Sequence, residues 1–259
     1  MRQNIRNFTK YRYLLAELVK KDIKLKYRKS YLGILWTLLE PLLTMIVLSF
    51  VFTKLRGKND VNFPIYILSG RLIYACFANA TKSAMKSIRL HGQMIKKVYV
   101  PKYMYPFATV LAQYVTFLIS LVVLVGVSAI LKVKPTFHIV EAILPLLILC
   151  VMTIGTGLIL ATLAVFFRDL EYLWGIVLMM IMYCSAIFYD PASVMERGQE
   201  WILRYNPLYS VILNFRNAVL NGIGPDMWAL SYSFLFSLAT LVIGIILFYK
   251  NQDKFILNL

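Results

Sequence analysis

Apolar residues in this chain come in long blocks, each bounded by short polar and basic segments. A helix rising ~1.5 Å per residue needs about 20 residues to cross ~30 Å of hydrocarbon. The block pattern therefore predicts six spans: Gly33–Thr53, Pro64–Ala80, Pro106–Leu131, Ile139–Phe167, the short Leu173–Phe188, and Met227–Tyr249. Pro145 is expected to kink the fourth, where Gly155 and Gly157 would also let a neighbouring backbone approach closely. The fold class expected is an all-α integral membrane protein of one domain, residues 1–259. It divides into a cytoplasmic amphipathic and basic segment (1–32), a six-span unit (33–249) and a polar tail (250–259).

Two segments depart from the block pattern. Tyr11, Leu14, Leu15 and Leu18 fall on one helical face and Arg12, Glu17, Lys20 and Lys21 elsewhere, which predicts an N-terminal amphipathic helix in the interfacial plane. Between spans five and six, residues 190–224 are rich in apolar side chains but broken by Pro191, Gly198 and Asn206-Pro207. After Pro207, Leu208, Val211, Ile212, Phe215 and Val219 share a face, and Asn214, Arg216, Asn217 and Asn221 share another. About 14 such residues are too few to cross a bilayer. A helix that dips in from the outer surface and returns fits, because irregular backbone at membrane depth is tolerated against protein or water. A helix lying flat outside is the alternative.

Composition agrees with a bilayer location: 60% of the 259 residues are hydrophobic and the mean hydropathy is +0.69. The net charge of +16 raises nucleic acid as a partner. The basic residues instead flank the apolar blocks, as membrane topology requires, so membrane lipids are the expected contact and nucleic acid is not. Ten of the 28 Lys and Arg residues precede Tyr31. Such a cluster resists translocation and is drawn to the anionic inner leaflet, which places the N-terminus inside. With six spans the inside segments then hold 19 Lys and Arg and the outside loops 8, and both termini are cytoplasmic. No short apolar stretch ends at a small-residue cleavage site, so the first span is expected to be retained. Cys76, Cys150 and Cys184 sit in apolar blocks as small hydrophobes, and neither a disulfide nor a metal site is expected.

Glu40, followed by Pro41, puts a carboxylate in span one at a cost of roughly 2.5–3.5 kcal/mol at mid-bilayer. Either it is solvated near the inner interface or paired with another helix, or it lines a polar path. Arg71 is expected to snorkel to the outer headgroups. Arg168, Asp169 and Glu171 read as a solvated corner with a local ion pair. The loop from Lys82 to Lys102 has six basic residues and no acidic one. It contains a helix-like stretch (Ser87, Ile88, Leu90, His91, Gln93, Met94, Ile95, Lys96, Lys97) that either anchors to headgroups or presents exposed Ile88, Leu90, Met94 and Ile95 to a partner. Most aromatics read as interfacial belts. Trp36, Tyr183, Phe188 and Tyr189 also suit a path along which flat sugar faces slide. Catalysis finds no support: His91 and His138 fall on opposite sides, and no phosphate loop, His-Glu-x-x-His or Gly-x-Ser-x-Gly motif occurs.

The stretch 22–41 (DIKLKYRKSYLGILWTLLEP) resembles the opening signature of type-2 ABC exporter permeases for polysaccharides, which include O-antigen, teichoic-acid and capsule exporters. Lys96–Lys102 (KKVYVPK), Phe167–Leu170 (FRDL), and Tyr205–Leu208 (YNPL) followed by Phe215-Arg216 agree in the same order, so the resemblance covers essentially the whole chain. It implies a multi-pass permease of the bacterial plasma (inner) membrane that works as a homodimer. Two copies of a separate nucleotide-binding subunit would carry the ATP and Mg, with no cofactor on this chain and no enzymatic site of its own. The implied cargo is a lipid-linked glycan passing through a channel at the dimer seam. Ser87–Lys97 would contact the ATPase, and helices around Trp201, Asn206, Pro207, Phe215 and Arg216 would shape the outer exit. Glu40 and Tyr189-Asp190-Pro191 depart from the usual pattern, which leaves the glycan preference open. An ABC permease for drugs or small lipids, and an ion-coupled transporter using Glu40, are the rival readings.

Overall fold

The computed structural model describes residues 2–28, 30–56, 62–97, 100–133, 136–196 and 198–255, and among these it contains helices and no strands. Part of the expected Lys96–Lys102 motif (98–99) and of the tail (256–259) lies outside the described residues. The α-helices run α1 Arg2–Tyr27, α2 Trp36–Arg56, α3 Phe63–Leu90, α4 Gly92–Lys97, α5 Met104–Ile130, α6 Ile143–Phe166, α7 Leu170–Tyr183, α8 Ala192–Met195, α9 Glu200–Arg204, α10 Pro207–Arg216 and α11 Met227–Asn251.

Among the described residues four segments are long and apolar enough to cross a membrane: Gly33–Lys54, Met104–Ile130, Phe137–Phe166 and Met227–Lys254. The other two expected spans differ from these for physical reasons. α3 has 28 residues but carries Arg71, Lys82, Lys86 and Arg89, and α7 is an apolar helix of only 14 residues. α7 also begins three residues before the expected span and ends at Tyr183, where the chain turns through Ala186 at φ 44°. Pro145 lies within the candidate span Phe137–Phe166, near the change from 3-10 to α-helix. It is the third residue of α6, after a 3-10 turn over Phe137–Ala142, and in that first turn its missing N–H takes no bond from the helix.

The bundle centres on α6, packed against α11, α3 and α5. Gly155 lets α11 come close: a Cβ there would stand 2.5 Å from the Leu241 backbone nitrogen, while one on Gly244 would stand 2.7 Å from the Gly155 carbonyl oxygen. This is the small-residue packing expected of helices that cannot rely on a hydrophobic drive in lipid. Several buried hydroxyls find backbone acceptors, as hydrocarbon favours. Tyr74 Oη donates to Leu178 O (3.0 Å) and Tyr114 Oη to Leu146 O (2.9 Å).

The apolar face of α1 meets protein. Tyr11, Leu14, Leu15 and Leu18 pack on a cluster that joins Ile88, Ile95, Tyr105, Val165 and Phe248. The tail docks into the same cluster, with Phe255 wholly buried between Phe248 (5.2 Å between ring centroids) and Phe166 (6.0 Å). Lys102 reinforces it by donating to Gln252 O at 2.7 Å. Thus the described part of the polar tail packs against one end of the bundle.

Candidate functional site

Three groups of candidate residues occupy three levels of the bundle. The first lies around the end of α3. Helix α3 continues through Ser87 and Ile88 to Leu90, and the backbone breaks at His91 (φ −99°, ψ 11°), so only Gly92–Lys97 form the separate helix α4. His91 is fixed by its ring on Tyr105 (4.8 Å) and by Nδ1 lying 2.9 Å from Ser87 O. The expectation that four apolar side chains face outward is half corrected: Ile88 and Ile95 are buried in the cluster beneath, while Leu90 (75% exposed) and Met94 (40%) stand out with Gln93, Lys96 and Lys97. Glu171 does not pair locally with Arg168. It reaches across to α3, meeting Lys86 Nζ at 3.3 Å and the Arg89 guanidinium.

The second level is a polar cleft between α1, α2, α3 and α5, with about 70 Å³ of free volume. Its lining includes Lys26, Tyr27, Thr37, Glu40, Arg71, Asn79, Gln113, Thr116 and Ser120. Pro41 explains part of its construction. Lacking an N–H, it frees the carbonyl of Thr37 four residues earlier, and Ser120 Oγ of α5 donates to that oxygen at 2.9 Å. Helix α2 is thereby pinned to α5 one helical turn before Pro41. Much of Lys26 is exposed, but its ammonium reaches Gln113 Oε1 at 3.3 Å. Desolvation draws that ammonium below the ordinary lysine value, with the Glu40 carboxylate opposing, and the same two causes push the Tyr27 phenol up. Arg71 does not snorkel outward: it lines this cleft, with the Tyr74 ring 5.6 Å away.

The third level is at the other end of α3. Asn206 caps α10, its Oδ1 accepting from Leu208 N (3.0 Å) and Tyr209 N (3.2 Å), while Nδ2 donates to Cys184 O (2.9 Å) at the end of α7. Pro207 then occupies the first helical position, where it needs no N–H. Phe215 is buried, as its apolar face predicts, but most of the polar face is buried as well: Arg216 is 3% exposed and Asn214 1%, with Asn221 alone of the four exposed. Arg216 donates to Ala186 O (3.0 Å) and Tyr66 O (2.9 Å), and its guanidinium carbon lies 3.4 Å over the Tyr66 ring. No carboxylate pairs with it among the described residues. The charge is spread over neutral dipoles, and this cage ties α10 to α3 and to the turn after α7. Trp201 is exposed on α9.

The four aromatics do not make one line. Tyr183, Phe188 and Tyr189 come together, with Tyr189 Oη donating to Tyr183 O (2.6 Å) and Phe188 buried and stacked on Phe52 (5.3 Å). Trp36 starts α2, sixteen residues or ~24 Å of helix from Phe52. Among the described residues no group of three His, Cys, Asp or Glu side chains converges as metal ligands would.

The sequence matches known proteins over most of the chain. The model of the ABC-2 type transporter family fits residues 13–220. The chain belongs to that family. An O-antigen export system permease protein RfbA of Klebsiella pneumoniae is 30% identical over 244 residues, 93% of each chain. The polysialic acid transport protein KpsM of Escherichia coli is 24% identical over 245 residues, covering 91% of this chain and 92% of its own. The capsule polysaccharide export inner-membrane protein CtrC of Neisseria meningitidis (serogroup A) is 22% identical over 193 residues, 73% of each. The matched region takes in the α3–α4 break, the cleft and the Arg216 cage. Sequence patterning had missed Lys26, Asn79, Gln113 and Ser120 as one site, although a polar stripe at Gln113, Thr116 and Ser120 is visible at helical spacing.

Proposed function

We propose that this ABC-2 family chain is the permease subunit of an ATP-driven exporter that moves a lipid-linked polysaccharide of the O-antigen or capsule type across a bacterial inner membrane. The observation that carries the reading is similarity to an O-antigen export permease over 93% of both chains. In this reading α2, α3, α5, α6, α7 and α11 are the six spans, both termini are cytoplasmic, and α9–α10 re-enter from outside. The charge bias of the loops supports that orientation. Two copies of the chain pair through α2 and α7. Their outward side chains, among them Ile46, Val47, Phe50, Ile176, Met179 and Met180, are apolar and exposed, which suits a seam between copies.

ATP and Mg belong to a separate nucleotide-binding subunit, which docks on the surface formed by Leu90, Gln93, Met94, Lys96 and Lys97. Buried Ile88 and Ile95 fix that surface to α1, α5 and the tail, so force applied there reaches several helices at once. The buried Arg216 cage gives the outer end a firm hinge for α10.

Two measurements test this. In proteoliposomes holding permease and ATPase subunit, lipid-linked glycan should cross only with ATP and should be indifferent to a proton ionophore. Movement without the ATPase subunit would defeat the reading. Met94→Asp should reduce co-purification of that subunit about tenfold or more with melting unchanged, because an exposed apolar contact at an interface centre is worth more than ~1 kcal/mol. Ile95→Asp should instead lower melting itself, since it buries a charge.

A further inference from the structure

Arg71 stands eight residues into α3, ~12 Å of helix beyond Phe63. Among the described residues its guanidinium makes no hydrogen bond or ion pair, and it lies 5.6 Å over the Tyr74 ring. A charge at membrane depth costs roughly 2.5–3.5 kcal/mol, so one that is kept without a partner marks a working position. Its surroundings are built for an anion. Arg71, Ala75 and Asn79 follow one another at four-residue steps and form one wall of the cleft, while Gln113, Thr116 and Ser120 form the other. Lys26, in the last turn of α1, donates to Gln113 Oε1. Glu40 is the sole acid among the described lining residues.

We propose that this cleft binds a phosphoryl group attached to a lipid, received by Lys26 at the mouth and held deeper by the planar fork of Arg71. The proposal rests on the exporter reading, which supplies a lipid-linked substrate. The free volume of about 70 Å³ is enough for a small anionic group. Guanidinium geometry matches phosphate oxygens two at a time, whereas lysine acts as a point charge suited to first capture. Glu40 opposes long residence, which suits a group that must be handed on. The phosphate comes either from the glycan's lipid carrier or from the headgroup of a surrounding anionic phospholipid.

The test uses the full-length chain in phosphatidylcholine nanodiscs doped with a polyprenyl diphosphate, with phosphatidylglycerol, or with neutral polyprenol, and native mass spectrometry counts the dopant retained. Wild type should retain the phosphorylated lipids over polyprenol. Arg71→Gln should lose about tenfold or more of that preference, as expected for a charge-assisted hydrogen bond. Arg71→Lys should recover part, and Glu40→Gln should retain more than wild type. Retention of the diphosphate alone identifies the carrier as the source, and equal retention of both phosphorylated lipids identifies the bilayer. Equal retention of polyprenol, or undiminished retention by the Arg71→Gln, Lys26→Gln double variant, overturns the proposal. Removing a charge from an apolar helix eases insertion, and Lys26→Gln lies outside the span, so folding does not confound both variants. ATP-dependent export by the wild-type complex is measured in parallel. Its absence defeats the exporter reading, while intact export with undiminished cleft binding defeats the cleft alone.

Discussion

The two ends of α3 handle charge in opposite ways. At the α10 end a single guanidinium, Arg216, is buried among carbonyl oxygens and an aromatic ring, with no carboxylate paired to it among the described residues. At the α4 end the charges of Lys86, Arg89 and Glu171 meet one another in partly exposed positions. Buried hydrogen bonds to a charge have no water to replace them, whereas exposed ion pairs exchange readily with solvent and are screened by salt. The first arrangement suits a hinge that keeps its shape through a cycle. The second suits a joint that opens and closes under force from a partner subunit.

The largest expected effect tests the rigid end. Arg216→Met removes two short charge-assisted hydrogen bonds at ~1.5–3 kcal/mol each, so we expect a loss of about 3 kcal/mol or more, read as a lowered melting temperature of the detergent-purified protein. Arg216→Lys should rescue little, because one ammonium cannot reproduce a fork that serves diverging carbonyls. A Met variant as stable as wild type would erase the distinction between the two ends.

Gly70→Ala sharpens the same point at a smaller scale. A Cβ on Gly70 would lie 2.6 Å from Arg216 Nη2, so the glycine exists to admit the guanidinium. Overpacking of this kind costs typically ~1–3 kcal/mol. In the Arg216→Met background the clash partner is gone, and the cost of Gly70→Ala should fall sharply. A double-mutant cycle on melting checks it, and additive effects would place the strain elsewhere.

What the chain's pattern reveals, and what it hides, follows from the same physics. Blocks such as Pro106–Leu131 and Met227–Tyr249 reappear as α5 and α11 within two residues, because in hydrocarbon every backbone group must be satisfied inside the helix. The close approach at Gly155 was equally readable. Helix rotation was not. Ile88 and Leu90 are two residues apart with similar character, yet one is buried and the other exposed, since only the packing of α1 and Phe255 decides which side of α3 is covered. Closeness to a helix end favours an outward Arg71, but Asn79, eight residues on along the same face, points to a polar face shared with Gln113 and Ser120. Short-range rules place a residue along a helix, and only tertiary contacts place it around one.

The smallest stability effect is expected at the breakable end, and there function should separate from folding. Glu171→Gln removes the anion shared by Lys86 and Arg89, pairs of partly exposed side chains whose worth is ~1 kcal/mol or less. Melting should therefore hardly move. Yet Glu171 is the link between the start of α7, which faces the proposed dimer seam, and the last turn of α3, which runs into the proposed docking surface. We expect glycan exported per ATP hydrolysed to fall several-fold while hydrolysis itself continues. Exchanging the signs, with Glu171→Lys combined with Lys86→Glu and Arg89→Glu, should restore much of that ratio if attraction between the two helices is what matters, and high salt should weaken the restored joint as it weakens the original. A Glu171→Gln protein that loses as much melting temperature as Arg216→Met would mean that both ends are structural anchors. An unchanged export ratio would mean that the force reaches α7 by another contact, of which the Trp174 Nε1 to Thr81 Oγ1 hydrogen bond at 3.0 Å between α7 and α3 is the nearest in the same pair of helices.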